Sequence, residues 1–344
     1  MTGWLRTRFP FDVAGLTSSL DEPVPNHLKK WWFCVGGTPA YLFCVQAITG
    51  ILLTFYYVPE PSQAYASVAH ITNDVPFGWF IRGVHHWAAN FMIVAVVLHA
   101  LRVYFTKAYQ KPRELTWASG AVILGLVMIF GFTGYSLVYE QLSYWGATVA
   151  ANLTSSAPVV GEYLATFIRG VDAVGANTLT RFFVFHIGVL PTALVLLLVF
   201  HLSQVRLHGV TELQFADQKE GEKTTFNFFP DHLLTEIAIG LVLITVLSCF
   251  AVIFPAGLGE QANPLVTPAH IKPEWYFYFT FRWLKLAGLG TAVLTLGFAA
   301  FLFVFWPFVD RMIERVAKRN LATPIGVIAF LAVLVLTVWE ALAH

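Results

Sequence analysis

Apolar residues do not alternate along this chain; they gather in long stretches broken by short polar ones. Seven segments run without Asp, Glu, Lys or Arg: Trp31–Tyr57, Gly83–Leu101, Leu115–Tyr139, Phe182–Val205, Ile237–Gly259, Ala287–Val309 and Leu321–Trp339. At 1.5 Å of rise per residue, each is long enough as a helix to cross about 30 Å of hydrocarbon. A helix satisfies its own backbone polar groups in lipid, and an irregular segment does not. The pattern therefore predicts an all-α transmembrane protein of seven helices. Composition agrees: 57% of the 344 residues are hydrophobic and 12% charged, against about 25% charged in a soluble domain. A large soluble helical protein is excluded by segment length.

The polar positions set the orientation. The first thirty residues carry Arg6, Arg8, Asp12, Asp21, Glu22, Lys29 and Lys30 without an apolar core, so they do not read as a signal peptide. With the N-terminus inside, fifteen of the 21 Lys and Arg fall on inside connections and six on outside ones. The positive-inside rule then keeps the N-terminus cytoplasmic and, after seven spans, places His344 outside. The polar stretch Leu207–Asp231 divides the chain into a four-helix module (1–206), a cytoplasmic linker (207–231) and a three-helix module (232–344). The outside connection Gln141–Asn177 is amphipathic, broken by Pro158 and Gly161, and suits short surface helices. A net charge of +1 gives no reason to expect a nucleic-acid partner.

Four histidines carry the chemistry. His85 and His99 lie fourteen residues apart in one apolar segment, and His186 and His201 lie fifteen apart in another. Those spacings leave each pair within roughly 60° of one helix face, separated by about 21–22 Å of rise. Two such helices facing each other create two stacked His–His sites, the ligand set of a six-coordinate haem iron. An intramembrane histidine is a functional candidate in any case. His86 points off the face shared by His85 and His99. His27, His70, His232, His270 and His344 fall in loops or at ends, where a solvated or interfacial side chain is expected. Gly36 and Gly50, and likewise Gly120 and Gly134, repeat the fourteen-residue interval. They read either as notches for two flat macrocycles or as close helix packing. Three cysteines exclude a disulfide framework, and Cys44 and Cys249 read as small core residues.

These residues resemble the cytochrome b family of quinol:cytochrome c reductases, and most of all a cytochrome b6 joined to subunit IV of b6f-type complexes. The matching stretches include FCVGGTPAYLFCVQAITGILLTFYY (33–57), ASVAHITNDVPFGWFIRGVHHW (66–87), HALRVYFTKAYQKPRELTW (99–117), GFTGYSLVYEQLSYWGAT (131–148), TLTRFFVFH (178–186) and NPLVTPAHIKPEWYFYF (263–279). The resemblance implies an outer haem b on His85 and His186 and an inner one on His99 and His201. It implies quinol oxidation at an outer site containing Pro273-Glu274-Trp275-Tyr276, where Glu274 accepts a proton and Tyr276 shares the site. It places quinone reduction at an inner site. Arg206 reads there either as a propionate or quinone contact or as a positive-inside anchor, and Arg82 has the matching role outside. Cys34, at the inner end of the first apolar segment, corresponds to a cysteine that bonds a third haem; its other reading is a buried free thiol. The implied partners are a Rieske iron–sulfur protein, a c-type cytochrome subunit, membrane lipid and a second copy of the chain. The implied setting is an energy-transducing membrane such as a bacterial inner membrane.

Two departures touch the outer site. The family's PWDQ reads Val138-Tyr139-Glu140-Gln141 here, and His86 stands where cytochrome b6 has Arg. Two rival readings explain less. A di-haem anchor for a dehydrogenase has no use for the Glu274 motif or the second module. A transporter needs charge within the spans, and the seven segments hold none.

Overall fold

The apolar segments fold as helices whose ends do not coincide with the charge-free stretches: Gly78–Phe105 and Ala176–His208 run past theirs at both ends, and the others stop short at one end or both. The computed structural model describes residues 23–30, 34, 36–170, 173–211, 213, 225–269 and 271–343. In chain order the helices are α1 (Thr38–Thr54), α2 (Ala64–Asn73), α3 (Gly78–Phe105), α4 (Glu114–Ser136), α5 (Gln141–Ser155), α6 (Gly161–Arg169), α7 (Ala176–His208), α8 (Leu233–Ile253), α9 (Tyr278–Ala287), α10 (Leu289–Val304), α11 (Trp306–Ala317) and α12 (Ala322–Leu342). Two short antiparallel strands, β1 (Pro23–Pro25) and β2 (Thr225–Asn227), pair Val24 with Phe226.

Among the described residues, α3, α4, α7, α8 with its preceding turn, and α12 are each long and apolar enough to cross a membrane. The chain is thus a mostly helical integral membrane protein. The segment Ala287–Val309 departs from the expected single span: it breaks at Phe305, and α10 and α11 meet at 83°. Pro307 is the physical reason. It has no N–H, and its ring displaces the carbonyl four residues back, that of Phe303. That carbonyl instead accepts the indole N–H of Trp117 at 2.7 Å. The amphipathic α11 then runs across the ends of α3 and α4. Buried Asp310 accepts from Tyr109 (2.8 Å), Lys107 pairs with Glu314 (2.7 Å), and Arg311 pairs with Glu114.

Three further expectations are corrected. The helices are not free of charge, because Arg82 and Arg102 lie in α3, Glu236 in α8 and Glu340 in α12. All four sit near helix ends, where a charged head reaches a partner or water while its stem stays in apolar surroundings. Cys44 and Cys249 are exposed rather than buried, because a membrane helix turns apolar faces outward to lipid as well as inward. His27 and His232 are buried rather than solvated. His270 and His344 lie outside the described residues.

The connection after α4 does fold as two short helices, α5 and α6, separated at Pro158. The main core lies between α1, α3, α4 and α8, around Leu42, Val84, Ala88, Ile93, Leu247 and Ala251. α3 and α8 approach closely at Gly83, where a Cβ would stand 2.9 Å from that of Ala251.

Candidate functional site

The four histidines face inward from α3 and α7 at two levels. At one level the ring centres of His85 and His186 lie 6.3 Å apart, with 69° between the ring planes. Two imidazole–metal bonds of about 2 Å, plus about 1.1 Å from each nitrogen to its ring centre, require about the same separation. At the other level His99 and His201 lie within electrostatic range of each other. The unequal spacings, fourteen on α3 and fifteen on α7, are reconciled by backbone geometry. Phe185–Val189 forms a π-turn closed by the Leu190 N–H on the Phe185 carbonyl. Such a turn holds one residue more than an α-turn, so fifteen positions advance like fourteen. Pro191 follows at once and cannot close an α-type bond to Ile187.

Each glycine of the fourteen-residue repeat faces one histidine. A Cβ at Gly36, Gly50, Gly120 or Gly134 would stand 3.5, 3.2, 3.1 or 2.7 Å from Cε1 of His99, His85, His201 or His186. The notches therefore hold imidazole edges. The residue before three of these glycines carries a hydroxyl. Thr49, Ser119 and Thr133 lie 2.9, 3.0 and 3.0 Å from Nδ1 of His85, His201 and His186. Each hydroxyl also donates to a carbonyl of its own helix: Val45, Thr116 and Ile129 respectively. With its proton committed there, the oxygen accepts from Nδ1–H, which leaves Nε2 as a lone pair aimed inward. That is the tautomer a metal requires. His99 differs. Its Nδ1 faces Arg102 Nη2 at 3.2 Å, and a guanidinium only donates. The Nε of Arg102 is buried and has no hydrogen-bond partner. Ligation by His99 through Nε2 therefore asks Arg102 to turn to another acceptor, and a carboxylate such as a haem propionate fits both needs.

A cavity of about 480 Å³ joins the His85–His186 level to the Glu274 motif. His85, His86, His186, Gly50, Gly134, Arg82, Tyr135, Glu274 and Tyr276 all line it. The 3-10 turn Trp275–Phe277 carries Tyr276 inward against Gly131, where a Cβ would meet the phenol oxygen at 2.7 Å. Trp275 donates to Asn90 Oδ1 at 2.6 Å. Burial, and next the charge of Glu140, hold the Glu274 carboxyl above its ordinary value. Tyr135, Tyr276 and Tyr278 also lie within range of that carboxylate. The altered motif at the end of α4 fastens the connection after α8. Glu140 accepts the Gly259 N–H and Gln141 accepts that of Asn263, both at 2.6 Å. Arg82 does the same from α3, donating to the carbonyls of Ala256 (2.7 Å) and Gly257 (2.6 Å). The same guanidinium reaches the Thr72 hydroxyl at 3.4 Å.

At the opposite end Cys34 is buried, its thiol donating to the Leu28 carbonyl at 3.4 Å. The structure brings His232 and Glu236 there, with all three potential ligand atoms within 4.8 Å of one another. Arg206 lies exposed on the last turn of α7. The sequence reading missed Thr49, Ser119, Thr133, Arg102, His232 and Glu236. A hydroxyl directly before each of three regularly spaced glycines was the available signal for the first three. The others meet only through tertiary packing.

Residues 19–209 match the family model described as Cytochrome b/b6/petB, and 261–343 match Cytochrome b(C-terminal)/b6/petD. The cytochrome bc complex cytochrome b subunit of Chlorobaculum thiosulfatiphilum is 37% identical over 343 residues, covering 97% of this chain and 79% of that protein. Cytochrome b6 of Heliomicrobium gestii is 44% identical over 209 residues, 61% of this chain and 98% of its own length. Among solved structures, a chain of a hyperthermophilic respiratory Complex III superposes with a TM-score of 0.85 at 27% identity, covering 100% of this chain and 92% of its own. With paired histidines at two levels and both halves matched, this chain belongs to the cytochrome b/b6 family.

Proposed function

We propose that this cytochrome b is the quinone-reactive membrane subunit of a bc/b6f-type quinol oxidoreductase, oxidising quinol beside Glu274 and reducing quinone at the opposite face. The observation that carries the reading is the one cavity shared by His85, His186, Glu274 and Tyr276. His85 and His186 hold an outer haem b and His99 and His201 an inner one; when bound, these groups supply one-electron carriers between the two faces. Quinol loses two electrons and two protons. Ionised Glu274 takes one proton from a quinol hydroxyl, the second hydroxyl gives its proton to a base on the Rieske partner as that partner takes its electron, and the surrounding aromatic wall, Tyr276 included, limits the access of water. One electron leaves to a Rieske iron–sulfur partner and then a c-type cytochrome, and the other crosses the membrane. Among the described residues the cysteines form no iron–sulfur set, so this reading assigns that cluster to a partner subunit. On the inner side Arg102 and Arg206 receive anionic oxygens of propionate or quinone. Cys34 would hold a third haem by adding its S–H across a haem vinyl group to give one thioether, and His232 and Glu236 would stand beside it as donors.

The same reading gives seven spans, with α1 and the bent pair α10–α11 counted as two of them. It places the N-terminus in the cytoplasm and the C-terminus outside, divides the chain at 1–206, 207–231 and 232–344, and pairs two copies in a lipid-embedded dimer. The test is Glu274→Gln in the intact complex. Quinol-driven haem reduction should slow by about 10²-fold or more, the usual contribution of one positioned proton acceptor, while the haem spectra stay unchanged. An unaffected rate from pH 5 to 8 would show that another group, such as Glu140, takes the proton.

A further inference from the structure

The segment that carries Glu274 is held at both ends by the last turn of α12. Lys272, two residues before Glu274, donates from Nζ to the backbone carbonyls of Glu340 (3.1 Å) and Ala343 (2.5 Å). Arg282 and Lys285, on α9 behind the motif, reach the Glu340 side chain. Lys285 Nζ lies 2.6 Å from Oε1, and Arg282 Nη1 lies 3.5 Å from Oε2. The Arg282 guanidinium also lies over the Trp339 ring, 4.0 Å from its centre. Glu340 is fully buried (0% exposed). A buried carboxylate is costly unless paired, so its presence calls for the cations around it. The lysine on free carbonyls complements the negative end of the α12 dipole. α9 packs along α12 with its residues half-buried rather than enclosed, and the directed bonds to Glu340 fix where along α12 it sits. Tyr278 lies within electrostatic range of both carboxylates: burial, then the charges of Glu274 and Glu340, push its phenol up.

We infer that Glu340, with Lys272, Arg282 and Lys285, is a positioning clamp that sets where Glu274 and Tyr276 stand in the outer cavity. Glu340 touches neither cavity nor quinol; it acts through the segment it grips. The inference rests on the reading of Glu274 as the proton acceptor.

The test uses the intact complex with decylubiquinol as substrate. In Glu340→Gln the KM should rise, with about a tenfold loss in kcat/KM as expected when reacting groups are displaced by less than 1 Å. The pH at which the rate is half-maximal should move, because Glu274 changes its distance from Glu140. Haem content and spectra should not change. Lys272→Met, which leaves no buried carboxylate unpaired, should move KM and pH profile in the same direction, and Glu340→Asp should restore both in part. If both variants keep wild-type KM and pH profile and lose only thermal stability, the clamp is a structural tie and the inference is overturned. If Glu340→Gln does not assemble, Lys272→Met decides alone. Glu274→Gln run in parallel separates the two ideas: a normal rate there overturns the proton-acceptor reading, whereas a slowed rate with silent Glu340 and Lys272 variants overturns the clamp alone.

Discussion

A single hydroxyl decides what a histidine can do here. The Thr133 hydroxyl donates to the Ile129 carbonyl and its oxygen accepts the Nδ1–H of His186, so the opposite nitrogen keeps its lone pair. Thr133→Val keeps the shape and removes the acceptor. Haem retention at the His85–His186 level should fall about 10–100-fold, the usual cost of losing such a partner, while the His99–His201 haem stays. Haem content and the reduced-minus-oxidised spectrum read this directly; undiminished retention would mean the Phe130 carbonyl beside the ring suffices. Glu274 gives a second prediction. As the proposed proton acceptor it works only when ionised, so the rate should rise as pH climbs through its elevated pKa. Glu140→Gln removes the neighbouring charge that helps hold that pKa up and keeps an oxygen for the Gly259 N–H. The rising limb of the rate profile should therefore move to lower pH; a limb that stays in place would leave burial as the sole cause. The four haem-level histidines and Glu274 were readable from sequence because they stand in fixed intervals or a compact motif. Arg82 was readable as a residue of the outer end, and it lines the cavity, but nothing in its position foretells its bonds to the carbonyls of Ala256 and Gly257.

The π-turn in α7 is the element that sequence spacing described without explaining. The extra residue between His186 and His201 appeared as an angular offset; the structure absorbs it in Phe185–Val189. Deleting Gly188, which has no neighbour within 4 Å of a built Cβ, restores a fourteen-residue interval and should leave both haems bound. Inserting one alanine there gives sixteen and swings His186 by about 100° relative to His201, which should cost the outer haem. Spectra of the two variants check this, and two full haems in the insertion variant would show that the turn takes up register freely. The break between α10 and α11 was equally hidden. Hydropathy is continuous through Phe305, and only the proline, together with a Trp117 indole waiting for the freed carbonyl, ends the helix.

At the scale of the molecule, the two ends differ in chemistry: an aromatic cavity with a carboxylate at one, and at the other a thiol beside His232, Glu236 and Arg102. If Cys34 bonds a haem, denaturing electrophoresis with haem staining should show a band at the size of this chain that vanishes in Cys34→Ala. An unstained wild-type band makes Cys34 a core thiol. Periodicity placed the two modules in sequence and said nothing of how they hold together, because helix faces do not name their partners. The strand pair β1–β2 adds an answer of its own. It stitches residues ahead of the first helix to the last part of the linker, just before α8, while α3 and α8 lock at Gly83 and Ala251. The seam between the halves is therefore closed by packing and by borrowed backbone on both sides of the connecting peptide. Continuity of the chain is a convenience of synthesis, not a condition of assembly. Fragments 1–209 and 225–344 made as separate polypeptides should find each other in the membrane and co-purify with a full complement of haem b through a tag on either one. Fragments that stay apart would mean the peptide between them is a working strut.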